Sequence, residues 1–142
     1  MPFISVTRLR LRSWVYLPPF IVRSFRAIQQ STKAEGNLAV TTLRDQRNTF
    51  WTITSWSSED SMRAFMRSGA HGAAMKKLLD WCDEAALVHW TQDDINLPTW
   101  DQAHTRIQLE GRQSKVNYPS AAHTANQIPP PVSSRTRERR NK

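Results

Sequence analysis

The chain has 142 residues, a formal net charge of +8, 39% hydrophobic residues and a single cysteine. That length suits one domain, and no apolar run approaches the roughly 18 residues a spanning helix needs. With Cys82 alone no intrachain disulfide can form, so a reduced, cytoplasmic setting is expected.

The first residues alternate arginine with apolar side chains and lack a continuous apolar stretch, which argues against a signal peptide. Five basic residues (Arg135, Arg137, Arg139, Arg140, Lys142) and one acid, Glu138, follow Tyr118, so +4 of the +8 lies there. The remaining cations are spread along the chain. No specific nucleic-acid partner is therefore expected, and the lack of a spanning run leaves no membrane partner expected.

Residues 3–11 alternate, with Ile4, Val6 and Arg8 on one face and Phe3, Ser5, Thr7 and Leu9 on the other. This period-two pattern predicts a strand. Pro18-Pro19 then opens a helix, with Ile21, Phe25 and Ile28 as its apolar face, and Gly36-Asn37 ends it. Strands are expected near 37–44 and 49–56, joined as a hairpin by the polar turn at 45–48. Ser57 and Asp60 have the spacing of a capping box. Met62, Phe65 and Met66 share a face of the helix that follows. Gly69 and Gly72 interrupt it, and a second piece runs to about Asp83. A fourth strand is expected near 84–91 and a short helix from Thr99 to about Gly111, with Trp100, Ala103 and Ile107 on one side.

The order is that of a ferredoxin-like βαββαβ, α+β domain: a four-stranded antiparallel sheet with helices on one face. It spans residues 1–116. Residues 117–142 are rich in Pro, Ser, Ala and Arg without apolar periodicity and read as a disordered basic tail. The strands carry apolar residues on both faces, so the outer face needs a cover. A second copy in a homodimer is the simplest one; a C-terminal segment folded across the sheet is the alternative.

His71 heads an apolar helical stripe, His71, Ala74, Met75, Leu78, Leu79 and Cys82. A neutral imidazole facing a cavity can act as a general base or as a haem ligand. The plain alternative is a core histidine bonded to a carbonyl. His89 on the fourth strand faces away from Trp90 and lines either the same cavity or a dimer face. No histidine pair has zinc spacing and there is no CxxC, so no metal site is expected. Six tryptophans supply flat apolar walls, and Trp51 and Trp56 cannot share a sheet face.

The strand Phe50-Trp51-Thr52-Ile53-Thr54-Ser55-Trp56 and the helix from Met62 to Ser68-Gly69-Ala70-His71 resemble known patterns. They are similar to small bacterial proteins related to spheroidene monooxygenase and, more distantly, to antibiotic-biosynthesis monooxygenases. The shared pattern is a strand FWTxxxW, a helix ending (F/Y)xxSGAH, then an alanine-methionine helix, which Ala73-Ala74-Met75 continues. Glu84 to Trp90 and Leu97 to His104 look alike too, so the match covers roughly residues 3–110. The resemblance implies a dimeric α+β barrel with a cavity between sheet and helices in each subunit. Its members include haem-dependent and cofactor-free oxygenases.

The expected function is a monooxygenase-like domain binding or oxidising a hydrophobic small molecule. His71 is the expected catalytic residue, with Trp51, Phe65, Met75, Trp81, His89 and Trp90 lining the pocket. The cofactor is left open, with haem as one candidate. The alternative is a non-catalytic ligand-binding or dimerisation module of the same fold.

Overall fold

The computed structural model of the chain describes residues 1–132 and 135–140, with side chains described except at 69–71, 73 and 135–140. The strands are β1 (Phe3–Leu11), β2 (Asn37–Asp45), β3 (Thr49–Trp56), β4 (Cys82–Thr91), β5 (Arg112–Gln113) and β6 (Arg135–Arg140). The helices are α1 (Leu17–Lys33), α2 (Glu59–Met66), α3 (Gly69–Trp81), α4 (Trp100–Glu110) and α5 (Ala121–Thr124).

The strands form one sheet in the order β5-β4-β1-β3-β2-β6, with antiparallel pairing throughout. The inner four have the split βαβ arrangement expected from the element order. The expected count of four strands is corrected to six, because β5 and β6 extend the two edges. Local chemistry sets the joints. Arg47 and Asn48 adopt φ of 57° and 58°, the left-handed pair that closes a tight hairpin between β2 and β3. Gly36 at φ 85° turns the chain from α1 into β2. There its carbonyl accepts from Ser57 N–H at 2.7 Å. The cap of α2 is Ser58, which accepts from Ser61 N–H, one residue beyond the Ser57 expected. Thr99 and Gln102 form a reciprocal capping box on α4. The helix α3 stops at Trp81, so Cys82 opens β4 rather than ending a helical stripe.

Alternation divides the sheet into two faces. Ile4, Val6, Trp51, Ile53, Val88 and Trp90 form one apolar cluster. The other face turns Phe3, Trp56, Leu9 and Ala85 toward α1, α2 and α3. The first cluster is covered by the chain itself: Ala103 and Ile107 of α4 pack on it, and so does Ile128 from the segment after α5. This is the alternative cover that the sequence left open, a C-terminal segment folded across the sheet.

The segment after residue 116 also departs from the disordered tail expected. Ser120 Oγ donates to Glu84 at 2.8 Å, Ile128 N–H donates to Gln108 at 3.0 Å, and β6 pairs with β2 over six residues. Its composition lacks periodicity, but one buried isoleucine and backbone bonds suffice when a preformed face needs covering. At the same end of the sheet Glu84 holds Arg8 at 2.7 Å and Arg10 at 3.0 Å. Arg8 and Glu84 are both buried, and the Arg8 guanidinium lies 5.7 Å from the centre of the Trp51 ring.

Candidate functional site

A cavity of about 190 Å³ lies between the helix-facing side of the sheet and the three helices α1 to α3. The strands reach it through residues of one parity, among them Thr7, Thr54, Trp56, Leu87 and His89. Helix α1 contributes Phe20, Ser24, Ala27 and Ile28, α2 contributes Met62 and Phe65, and α3 contributes Met75, Leu78 and Trp81. Val116, beyond β5, lines it too. The wall is mostly apolar, with hydroxyls from Ser and Thr and one guanidinium, Arg23, whose charge sits 5.8 Å from the Trp81 ring centre.

His89 is the titratable imidazole in this wall among the described residues. Antiparallel pairing sets it opposite Ser5, and its ring lies 5.5 Å from that of Phe3. Burial, then the positive charges of Arg63 and Arg112, hold its pKa below the ordinary 6.5. The ring is therefore neutral at pH 7, and it has no hydrogen-bond partner among the described residues. A neutral imidazole beside an apolar space can take a proton or anchor one polar ligand atom. Trp56, fully buried in the wall, likewise has an indole N–H without a partner among the described residues.

The structure brings together Phe65, Met75, Trp81 and His89 around the cavity. Trp51 and Trp90, expected among its walls, lie on the opposite sheet face in the cluster under α4. The cause is strand parity: His89 and Trp90 are adjacent, as are Trp51 and Thr52, so only one of each pair can face the helices. Their indoles are otherwise engaged, Trp51 donating to Asp45 and Trp90 to Gln92, both at 3.1 Å. The expected catalytic role of His71 falls on a side chain outside those described. Sequence reasoning passed over Trp56 and the Thr7–Thr52–Thr54 hydroxyls as walls. The alternation of β1 and β3 carried the signal, since all of these share the parity of Phe3 or Phe50.

The cavity also bears on haem. At about 190 Å³ it is smaller than the roughly 300–1,000 Å³ pockets that hold drug-sized ligands, so it does not fit a macrocycle of that size. It does exceed the engineered apolar void of about 150 Å³ that binds benzene.

Solved structures share this fold. SnoaB from Streptomyces nogalater, a cofactor-independent oxygenase, is 17% identical with a TM-score of 0.53, over 69% of this chain and 98% of that one. A candidate antibiotic biosynthesis monooxygenase from Bacteroides thetaiotaomicron is 13% identical with a TM-score of 0.59, over 69% and 95%. Rv0793 from Mycobacterium tuberculosis is 9% identical with a TM-score of 0.61, over 68% and 100%. At these identities the likeness is one of fold. No curated protein matches by sequence. A family model described as "Domain of unknown function (DUF3291)" matches residues 18–131, a span that includes α4 and the segment covering the sheet.

Proposed function

The chain belongs to that family of DUF3291 domains, and on this premise we propose that it is a monooxygenase-like domain that binds or oxidises a hydrophobic small molecule. The observation that carries the reading is the apolar cavity with a neutral, unpartnered His89 in its wall. The apolar surface supplies affinity, and the imidazole supplies orientation and a proton acceptor. The unpartnered indole N–H of Trp56 favours a ligand that carries an acceptor oxygen. A ring-sized ligand suits the volume. The fold it shares with a cofactor-independent oxygenase supports the same class of chemistry. In that reading His89 takes a proton from the bound molecule, and the surrounding Phe65, Met62 and Leu87 keep water away. His71 stands as a second candidate base on the sequence pattern alone.

A naphthol titration followed by amide chemical shifts tests binding, with an oxygen electrode reading consumption in the same samples. Shifts at Thr54, Leu87 and His89 that vanish in His89→Phe are expected. Shifts without oxygen uptake by any apolar aromatic substrate would favour the non-catalytic ligand-binding module. No shift at these positions would remove the cavity as a site.

A further inference from the structure

Helix α1 has an apolar exterior. Its cavity side carries Arg23, Ser24, Ala27 and Ser31 beside Phe20 and Ile28, and only Phe20 and Ser31 are fully buried. Its solvent side presents Ile21, Val22 and Phe25, exposed at 44%, 51% and 49%. The turn before it adds Trp14 at 69% and Val15 at 71%, and Pro18 and Pro19 are exposed between them. Of the apolar face Ile21, Phe25 and Ile28 expected from the sequence, Ile28 reaches the cavity wall while Ile21 and Phe25 face solvent. Isolated exposed apolar residues are ordinary, whereas five large ones within twelve positions form a patch.

Within the segment itself the charge has one sign, and the acid beside it in space is the exposed Asp80, whose carbonyl oxygen accepts from Arg12 Nε. Arg12, Arg26 and Lys33 are exposed, Arg23 is half-buried, and no Asp or Glu precedes Glu35. Helix α1 packs on β2, whose outer neighbour is β6, the strand bearing Arg135, Arg137, Arg139 and Arg140.

We propose that the outer face of α1, with Trp14 and Val15, docks on an anionic lipid surface. A helix lying flat in the headgroup region buries its apolar side in the acyl boundary and keeps cations at the phosphates. Tryptophan favours that boundary, and each arginine near an anionic leaflet adds attraction. A second copy is the poorer occupant, because a twofold pairing of this segment gathers its arginines from both copies with no carboxylate of the segment to meet them. The expectation of no membrane partner rested on the lack of a spanning run, which a helix lying flat does not require. The docking holds whatever the cavity binds, although α1 walls the cavity on its other side and would bring it close to a source of apolar molecules.

Sedimentation of the full chain with phosphatidylcholine vesicles carrying about 30% phosphatidylglycerol, a charge that sets up a negative surface potential, tests this. The protein should pellet with these vesicles, stay in solution with phosphatidylcholine alone, and release as salt rises. Phe25→Ser should weaken partitioning roughly tenfold and Arg26→Gln about fivefold, with circular dichroism unchanged. Both residues are exposed, so the two substitutions leave the core untouched. No pelleting at low salt would overturn the proposal. So would pelleting that Phe25→Ser leaves intact, since charge alone would then be responsible. A concentration-dependent dimer that Phe25→Ser converts to monomer, in analytical ultracentrifugation, would assign the patch to a second copy instead.

Discussion

His104 Nε2 and the carbonyl oxygen of Ile128 lie 2.7 Å apart. The carbonyl can only accept, so Nε2 carries the proton and donates. This bond ties α4 to the segment that covers the sheet, directly above Trp51, whose ring meets that of His104 at 6.5 Å. The two tryptophans expected in the cavity, Trp51 and Trp90, are instead the floor under this cover.

The cover is therefore part of the fold. His104→Ala should cost about 1–3 kcal/mol through the orphaned carbonyl. Ending the chain at Tyr118 removes Ser120 and Ile128 and leaves the Trp51–Ile53–Val88 face covered by α4 alone, so it should lower the melting temperature further and promote aggregation. Differential scanning fluorimetry reads both. A truncated chain as stable as the full one would mean that the segment is dispensable.

Neighbouring acids at the start of β4 should behave oppositely. Burial works to raise the Glu84 pKa, but hydrogen bonds from Arg8, Ser120 and Arg10 outweigh it and hold the pKa below the usual 4.5. Its contribution is present above that value and is lost as pH falls through the depressed one. Glu84→Gln leaves the buried Arg8 without its partner and should cost about 3–5 kcal/mol at neutral pH. Asp83 is raised from its usual 3.8 by burial, against Arg10, and its Oδ1 has no hydrogen-bond partner among the described residues. Its charged form is the costly one in the fold, so Asp83→Asn should raise the urea midpoint at pH 7. Midpoints moving in the same direction for both variants would contradict this.

His89 gives the cavity a pH signature. Its folded pKa is depressed below 6.5, so the unfolded chain takes up the proton first as pH falls. Stability should be level above about pH 6.5 and should decline below it until the folded ring titrates. His89→Phe should flatten that decline. Proton NMR of the imidazole resonances checks the midpoint directly, and a value above 6.5 would refute the assignment.

Cys82 is buried, and burial, reinforced by the charge of Asp83, pushes its pKa up to about 12. The thiolate is the reactive form. Labelling by a chromogenic disulfide reagent at pH 8 should therefore proceed only at the unfolding rate and accelerate on adding urea. Rapid stoichiometric labelling of the native protein would show the thiol to be accessible.

The order of the elements from β1 to α4 was legible in the sequence, because each of those strands and helices carries its own period and punctuation, whereas β5, α5 and β6 carry none. Alternation in β1 placed Phe3 and Ile4 on opposite faces, Gly36 and Asn48 marked turns that need positive φ, and Pro18 and Thr99 announced helices. Parity alone already separated Trp51 from Trp56 and His89 from Trp90. Which of the two faces held the cavity was a tertiary decision. Both faces are apolar, and only the placement of α1, α2 and α3 over Trp56 and His89, with α4 and Ile128 over Trp51 and Trp90, distinguishes them. The outward position of Ile21 and Phe25 on α1 was equally hidden, since its periodicity marks an apolar stripe but does not say how much of that stripe meets the sheet. The covering segment was the least legible part. A chain with no apolar period of its own is held by single contacts, His104 to Ile128 and Glu84 to Ser120, whose partners lie 24 and 36 residues away in sequence.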